Sequence, residues 1–151
     1  AALVASRFRV EKLSLVAPAF FAANKNIAFA PLLKYFIKEM DNNFQIKEEN
    51  LTAAEINYHQ NYSFKYYTEA LAELYKLMKK GRKAVNKINA PTQLILSLND
   101  EQVDTEKIDK FLNKKMGQFL VDKKIYQKSS HVIINDTEKK RCAEDLISFL
   151  D

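Results

Sequence analysis

An α/β fold, with three parallel strands, flanking helices and a helical insertion, is what three features of this sequence predict. KLSLVA (residues 12–17) and QLILSL (93–98) are almost unbroken in apolar residues, the pattern of strands covered on both faces of a sheet. A weaker run, KIYQK (124–128), is flanked by lysines, as suits an edge strand that discourages further pairing. Between the last two lies DTEKIDKFLNKKM, a helix with Asp104 or Thr105 as N-cap and Ile108, Phe111 and Leu112 facing inward. A strand, a helix and a strand at this spacing make a parallel crossover.

The connection between the first two strands has a different character. From Phe20 to Ile88 the sequence offers no convincing strand. PLLKYFIKEM reads as a helix opening at Pro31, and LTAAEINYH opens with a Thr52–Glu55 capping box. FKYYTEALAELYKLMKKGRKAVNKI reads as one long helix with Gly81 as its weak point. So much helix is more than a crossover needs. The expected organisation is therefore a core of residues 1–20 and 89–151, with residues 21–88 inserted as a helical cap over one end of the sheet.

Composition excludes several classes. With 151 residues, 47% hydrophobic and 28% charged, the chain is one soluble globular domain by size rather than a disordered tail. Its apolar runs are too short to span a bilayer. Cys142 is the one cysteine, so an intrachain disulfide and a cysteine-based metal site are excluded, and a reducing compartment, the cytoplasm, is expected. That cysteine shares helical spacing with Leu146, Phe149 and Leu150, which makes it a core residue rather than a nucleophile. The net charge of +5 concentrates on Lys76, Lys79, Lys80, Lys83 and Lys87, with Ala70, Leu74, Leu77, Ala84 and Ile88 on the opposite side. No aromatic residue interleaves with these lysines as base stacking would need, so the face is read as solvated and nucleic acid is not an expected partner. His59, in EINYHQNYS, reads as a surface histidine.

Ligands on open parallel sheets bind beyond the carboxyl ends of the strands. Asp100 follows QLILSL there, and His131 follows KIYQK. An aspartate and a histidine leaving neighbouring strands on one rim could hydrogen-bond, which would fix the imidazole tautomer. The segments INAPTQLILSLNDEQVD and KIYQKSSHVIINDTEKKRCAEDLISFL resemble the α/β-hydrolase superfamily, within it the carboxylesterase and monoacylglycerol-lipase group. The opening AALVASRFRVEKLSLVAPAF resembles the helix after the nucleophile elbow and the strand that ends in Ala-Pro before the cap. Many relatives carry Gly before the histidine, where this chain has Ser130.

That resemblance implies Asp100 as triad acid and His131 as triad base, a small-molecule acyl ester as substrate, and no metal or other cofactor. It places Phe20, Phe21, Phe29, Leu33 and Val103 along the acyl-chain walls. The nucleophile implied is a serine in G-x-S-x-G, yet the two glycines, Gly81 and Gly117, flank no serine. The expectation is a C-terminal portion of a serine hydrolase, inactive by itself because nucleophile and oxyanion hole lie upstream. Its first strand would then expose an edge for the upstream part of the same protein or for self-association. Two further readings stand beside it. One is a non-catalytic α/β-hydrolase-like binding module or truncated relative; the other is an anion- or nucleic-acid-binding helical protein using the 76–87 basic face.

Overall fold

The structure, a computed structural model, describes residues 1–41 and 65–151. The Thr52–Glu55 capping box and His59 lie outside the described residues. The chain divides into two compact units, Ala1–Lys25 with Leu77–Asp151, and Asn26–Lys76.

The first unit is built on a parallel sheet of β1 (Leu13–Val16), β4 (Thr92–Ser97) and β5 (Leu120–Tyr126), in the order β1-β4-β5. All six residues of β4 are buried, as a central strand's must be. Its side chains alternate between two apolar layers. Leu94 and Leu96 join Leu13, Leu15, Phe20, Val85, Ile88, Val103 and the inner face of α4 (Thr105–Met116), namely Ile108, Leu112 and Met116. Ile95 points the other way, toward Ala17, Tyr126, Ile133 and Cys142 of α5 (Lys139–Leu150). The result is helix on both faces of a sheet. Asp104 caps α4, its carboxylate accepting from the Lys107 N–H at 3.0 Å. Cys142 is fully buried, and burial, with Asp145 nearby, raises its thiol pKa; Leu150 is exposed instead of joining the core.

The third strand differs from the sequence expectation, running over Leu120–Tyr126 rather than 124–128. Its early half carries charges whose pairing the sequence does not advertise. Lys124 lies 3.6 Å from both Asp122 and Asp145, and Asp122 accepts from the Gln93 side chain at 2.8 Å. Gln93 is fully buried at the centre of the sheet, where it also accepts from Ser14 Oγ at 2.7 Å and donates to the Asp145 carbonyl at 3.0 Å. One amide thus satisfies groups on both neighbouring strands and on α5, as a buried polar side chain must.

The second unit holds α2 (Ala30–Leu33) and an antiparallel ribbon of β2 (Glu39–Asp41) and β3 (Lys65–Tyr67). Neither strand was legible in the sequence, which reads as helix through both. Pro31 does start a helix, but it ends after one turn. Beyond it Tyr35 and Phe36 stand exposed, so no buried stripe rewards continued helix. The ribbon is closed by Lys65 on Glu39 at 2.6 Å.

The long helix, α3 (Thr68–Val85), begins four residues later than its pattern suggested and runs through Gly81 without interruption. Its buried residues include Thr68, Ala72, Met78, Gly81, Ala84 and Val85, whereas Ala70, Leu74 and Leu77 are exposed, against the expected stripe. Gly81 is a close-approach position. A Cβ there would meet the Phe20 ring at 3.2 Å, and Phe20 is itself pinned against Phe111 with ring centroids 6.0 Å apart. Gly81→Val is therefore expected to destabilise by about 1–3 kcal/mol through overpacking. Thermal unfolding of the variant checks this, and a melting temperature at or above the parent's would refute the packing role.

Candidate active site

Asp100 and His131 leave the carboxyl ends of β4 and β5, neighbouring strands of the sheet. The chain turns after Ser97, and Asp100 closes a tight turn of its own. Its Oδ1 accepts the backbone N–H groups of Gln102 at 2.9 Å and Val103 at 3.0 Å. Its Oδ2 meets His131 Nδ1 at 2.8 Å. The Asp100 side chain is 0% exposed and that of His131 25%, so the carboxylate is sealed while the ring reaches solvent. From the sequence, helix capping falls to Asp104 and the histidine to Asp100. In the structure Asp100 holds both its own turn and the histidine, one oxygen for each.

A carboxylate can only accept, so the shared hydrogen belongs to Nδ1, and Nε2 of the neutral ring keeps its lone pair. No hydrogen bond from a described residue occupies Nε2.

The two rim loops are stitched to each other. Ser97 Oγ donates to the Ser129 carbonyl, Asn99 Nδ2 to the Gln127 carbonyl at 2.6 Å, and Thr105 Oγ1 back to the Ser97 carbonyl at 2.8 Å. The Asp100 turn is also tied to the segment after β1. Asp104 N–H donates to Phe21 O and Ala23 N–H to Gln102 O, both at 2.9 Å. That segment begins at Ala17, whose φ of +40° is strained for a residue bearing a Cβ.

Of the residues assigned to acyl-chain walls, Phe20 and Val103 are each 4% exposed and belong to the apolar layer under the sheet. Phe21 is half-buried, edge-on to Phe111, with the Arg82 guanidinium and Lys107 ammonium each 4.7 Å from its ring centroid. Phe29 is exposed and Leu33 half-buried, both in the other unit. An open depression of about 460 Å³ lined by Ile125, Gln127, Lys128, Thr137, Glu138 and Arg141 includes neither Asp100 nor His131.

Sequence reasoning missed two carboxylates, Asp136 and Glu138, five and seven residues after the histidine. The last helix, α5, starts at Lys139, beyond both of these acids. The preceding acids are engaged with the histidine loop. Glu138 Oε2 accepts from Lys128 N–H at 2.9 Å, Ser129 N–H at 3.0 Å and Ser129 Oγ at 3.1 Å. Asp136 Oδ2 accepts from Ser130 N–H at 2.5 Å and Ser130 Oγ at 2.6 Å. Ser130 thus gives its loop a hydroxyl contact that a glycine would lack.

Burial by itself would raise the pKa of both acids. In Asp136 it is outweighed by the hydrogen bonds from Ser130 and Thr137, and in Glu138 by those from Lys128 and Ser129 together with Arg141. Both carboxyls therefore sit below their ordinary values of 3.8 and 4.5. A folded-state pKa below the unfolded one means that the unfolded chain binds more protons in acid. This stabilisation is complete above the unfolded values and is lost as the pH falls through the folded ones. Urea midpoints are accordingly expected to drop from about pH 5 toward pH 3, and to drop less in the Asp136→Asn, Glu138→Gln double variant. Equal pH slopes in the two proteins would contradict the assignment.

The sheet, its helices and its order place this chain among the α/β-hydrolase folds. A family model described as serine aminopeptidase, S33, matches residues 1–138, and the chain belongs to that family. No curated protein matches it. Similar solved structures include a metagenome-derived lipolytic enzyme described with LipS and LipT (TM-score 0.75, 16% identity, covering 98% of this chain and 58% of that one). A monoglyceride lipase variant from Saccharomyces cerevisiae (0.71, 16%, 99% and 60%) and the Paleococcus ferrophilus monoacylglycerol lipase (0.67, 16%, 99% and 64%) are also similar. The chain spans about three-fifths of the length of these structures. Among the described residues no helix is long and apolar enough to cross a membrane, and no cluster of three metal-ligating side chains occurs.

Proposed function

We propose that this chain carries the acid and the base of a carboxylic ester hydrolase of the esterase or lipase type. The observation that supports this best is the 2.8 Å contact of Asp100 Oδ2 with His131 Nδ1, made from neighbouring strand ends with Nε2 left open. In this reading His131 Nε2 takes the proton of a serine hydroxyl as that oxygen attacks the ester carbonyl, then returns it to the departing alkoxide. Asp100 holds the ring in the tautomer that makes this possible and stabilises the imidazolium formed. Water, deprotonated by the same nitrogen, then releases the acyl group from the serine. The substrate class is a small-molecule acyl ester, in keeping with the lipolytic enzymes and lipases among the similar structures.

The nucleophile is not drawn from this chain's seven serines. Ser14, Ser97, Ser129 and Ser130 hydrogen-bond to Gln93, the Ser129 carbonyl, Glu138 and Asp136 respectively, and Ser6 bonds to the Leu3 carbonyl. Ser148 lies exposed on α5, and Ser63 lies outside the described residues. None has the glycine-flanked elbow that presents a serine for attack. The serine and the oxyanion-hole amides are therefore supplied by polypeptide preceding Ala1, and the 151 residues alone do not accelerate ester hydrolysis appreciably. Reading the coding sequence upstream of the Ala1 codon tests this. G-x-S-x-G within about ten residues supports the hydrolase; a frame without it rejects catalysis and favours the non-catalytic binding module.

A further inference from the structure

Residues 127–130 form a short bridge between β5 and His131, and five of its backbone polar groups are held by side chains. On one side the Gln127 and Ser129 carbonyls accept from Asn99 and Ser97, at the exit of β4 next to Asp100. On the other side the N–H groups of Lys128, Ser129 and Ser130 all end on Glu138 and Asp136. Three donors converge on a single oxygen of Glu138. This is the arrangement expected where ordering a segment outweighs the cost of desolvating the carboxylate.

Glu138 is well built for this. Its own carbonyl accepts the Cys142 N–H at 3.0 Å, so it sits on the first turn of α5, a helix fixed to the sheet through fully buried Cys142. Its second oxygen lies 3.6 Å from the Arg141 guanidinium, which steadies the carboxylate from outside. The backbone that delivers His131 is thereby referenced to α5 on one side and to the Asp100 turn on the other.

We infer that Glu138, assisted by Asp136, is a positioning residue for His131, setting the ring against Asp100 by fixing residues 128–130. This rests on the reading of Asp100 and His131 as a catalytic pair. Neither acid touches the ring; both act through the peptide that leads to it. Reaction geometry tolerates little misplacement, so slack in this bridge separates Nδ1 from Asp100 and misdirects Nε2.

The test uses protein comprising this chain and the polypeptide encoded ahead of it, and needs no substrate. Amide hydrogen exchange and the far-downfield proton NMR signal of a carboxylate-bound imidazole Nδ1–H are recorded for the parent, Glu138→Ala and Glu138→Gln. Loss of charged acceptor bonds is expected to speed exchange at Lys128 and Ser129 about ten- to a hundredfold in Glu138→Ala, with the amides of Leu94 and Ile95 unchanged. The downfield signal should be lost in the same variant. Glu138→Gln, which keeps an oxygen in place, should recover part of both, and it carries the test if the alanine variant does not fold. Faster exchange with the downfield signal at parental intensity would overturn the positioning role, leaving Glu138 a loop brace only. Unchanged exchange would overturn the clamp itself. A folded parent protein whose downfield signal is absent, or persists in His131→Gln, would instead refute the catalytic pair and the inference with it.

Discussion

Asp100→Asn in the protein that carries the nucleophile is expected to lower kcat for a short-chain p-nitrophenyl ester about 10⁴-fold while leaving the fold intact. The asparagine retains one carbonyl oxygen, and the Gln102 and Val103 N–H groups that now bond Oδ1 would hold that oxygen in place. The amide nitrogen is then turned toward His131 Nδ1, donor against donor. The ring can resolve this only by placing its proton on Nε2, the nitrogen needed as base. The turn survives while the tautomer is wrong. Steady-state kinetics with the melting temperature recorded alongside checks both halves. A kcat loss below about tenfold in a folded variant would mean that Asp100 is a turn residue and nothing more.

Leu94→Ala is expected to cost about 2–5 kcal/mol, the largest stability loss among single apolar truncations in the sheet. Leu94 is 0% exposed at the middle of β4, with β1 and β5 on either side and α4 packed over it. None of these neighbours can close over the missing methyls without moving a strand. Against a total of about 5–15 kcal/mol for an ordinary domain, such a loss removes a large fraction of stability. The companion variant Leu150→Ala, at an exposed position on α5, should change stability by less than about 0.5 kcal/mol. Urea midpoints of the two variants decide it, and a Leu94→Ala loss no larger than that of Leu150→Ala would contradict the assignment of β4 as the centre of the core.

The parts of this fold that sequence reveals are those in which one physical signal dominates. β4 is apolar on both faces because helices cover both, and its boundaries fall within one residue of the expected 93–98. Asp104 was legible as a cap because it stands directly before an amphipathic stretch. β5 was legible only in its second half. Asp122, Lys123 and Lys124 look like solvent-facing charges until Gln93, Asp109 and Asp145 are brought opposite them by the fold. The β2–β3 ribbon has three residues per strand, too few for any alternation to show.

The site divides in the same way. The proximity of Asp100 and His131 follows from parallel-strand topology, which puts the ends of β4 and β5 on one rim. The role of Asp136 and Glu138 does not. Acids ahead of a helix ordinarily read as its caps, and only the folded backbone shows that their oxygens are spent on the loop before it.

Activation by Asp100 and His131 of a serine supplied from outside these residues can be read out with a fluorophosphonate label. Protein comprising this chain and the polypeptide encoded ahead of it is treated with the reagent, and the adduct is located by peptide mass. One adduct per molecule is expected, on a serine preceding Ala1, formed far more slowly in the His131→Gln variant. An adduct on any of the seven serines within the chain, or none in the folded protein, would contradict it.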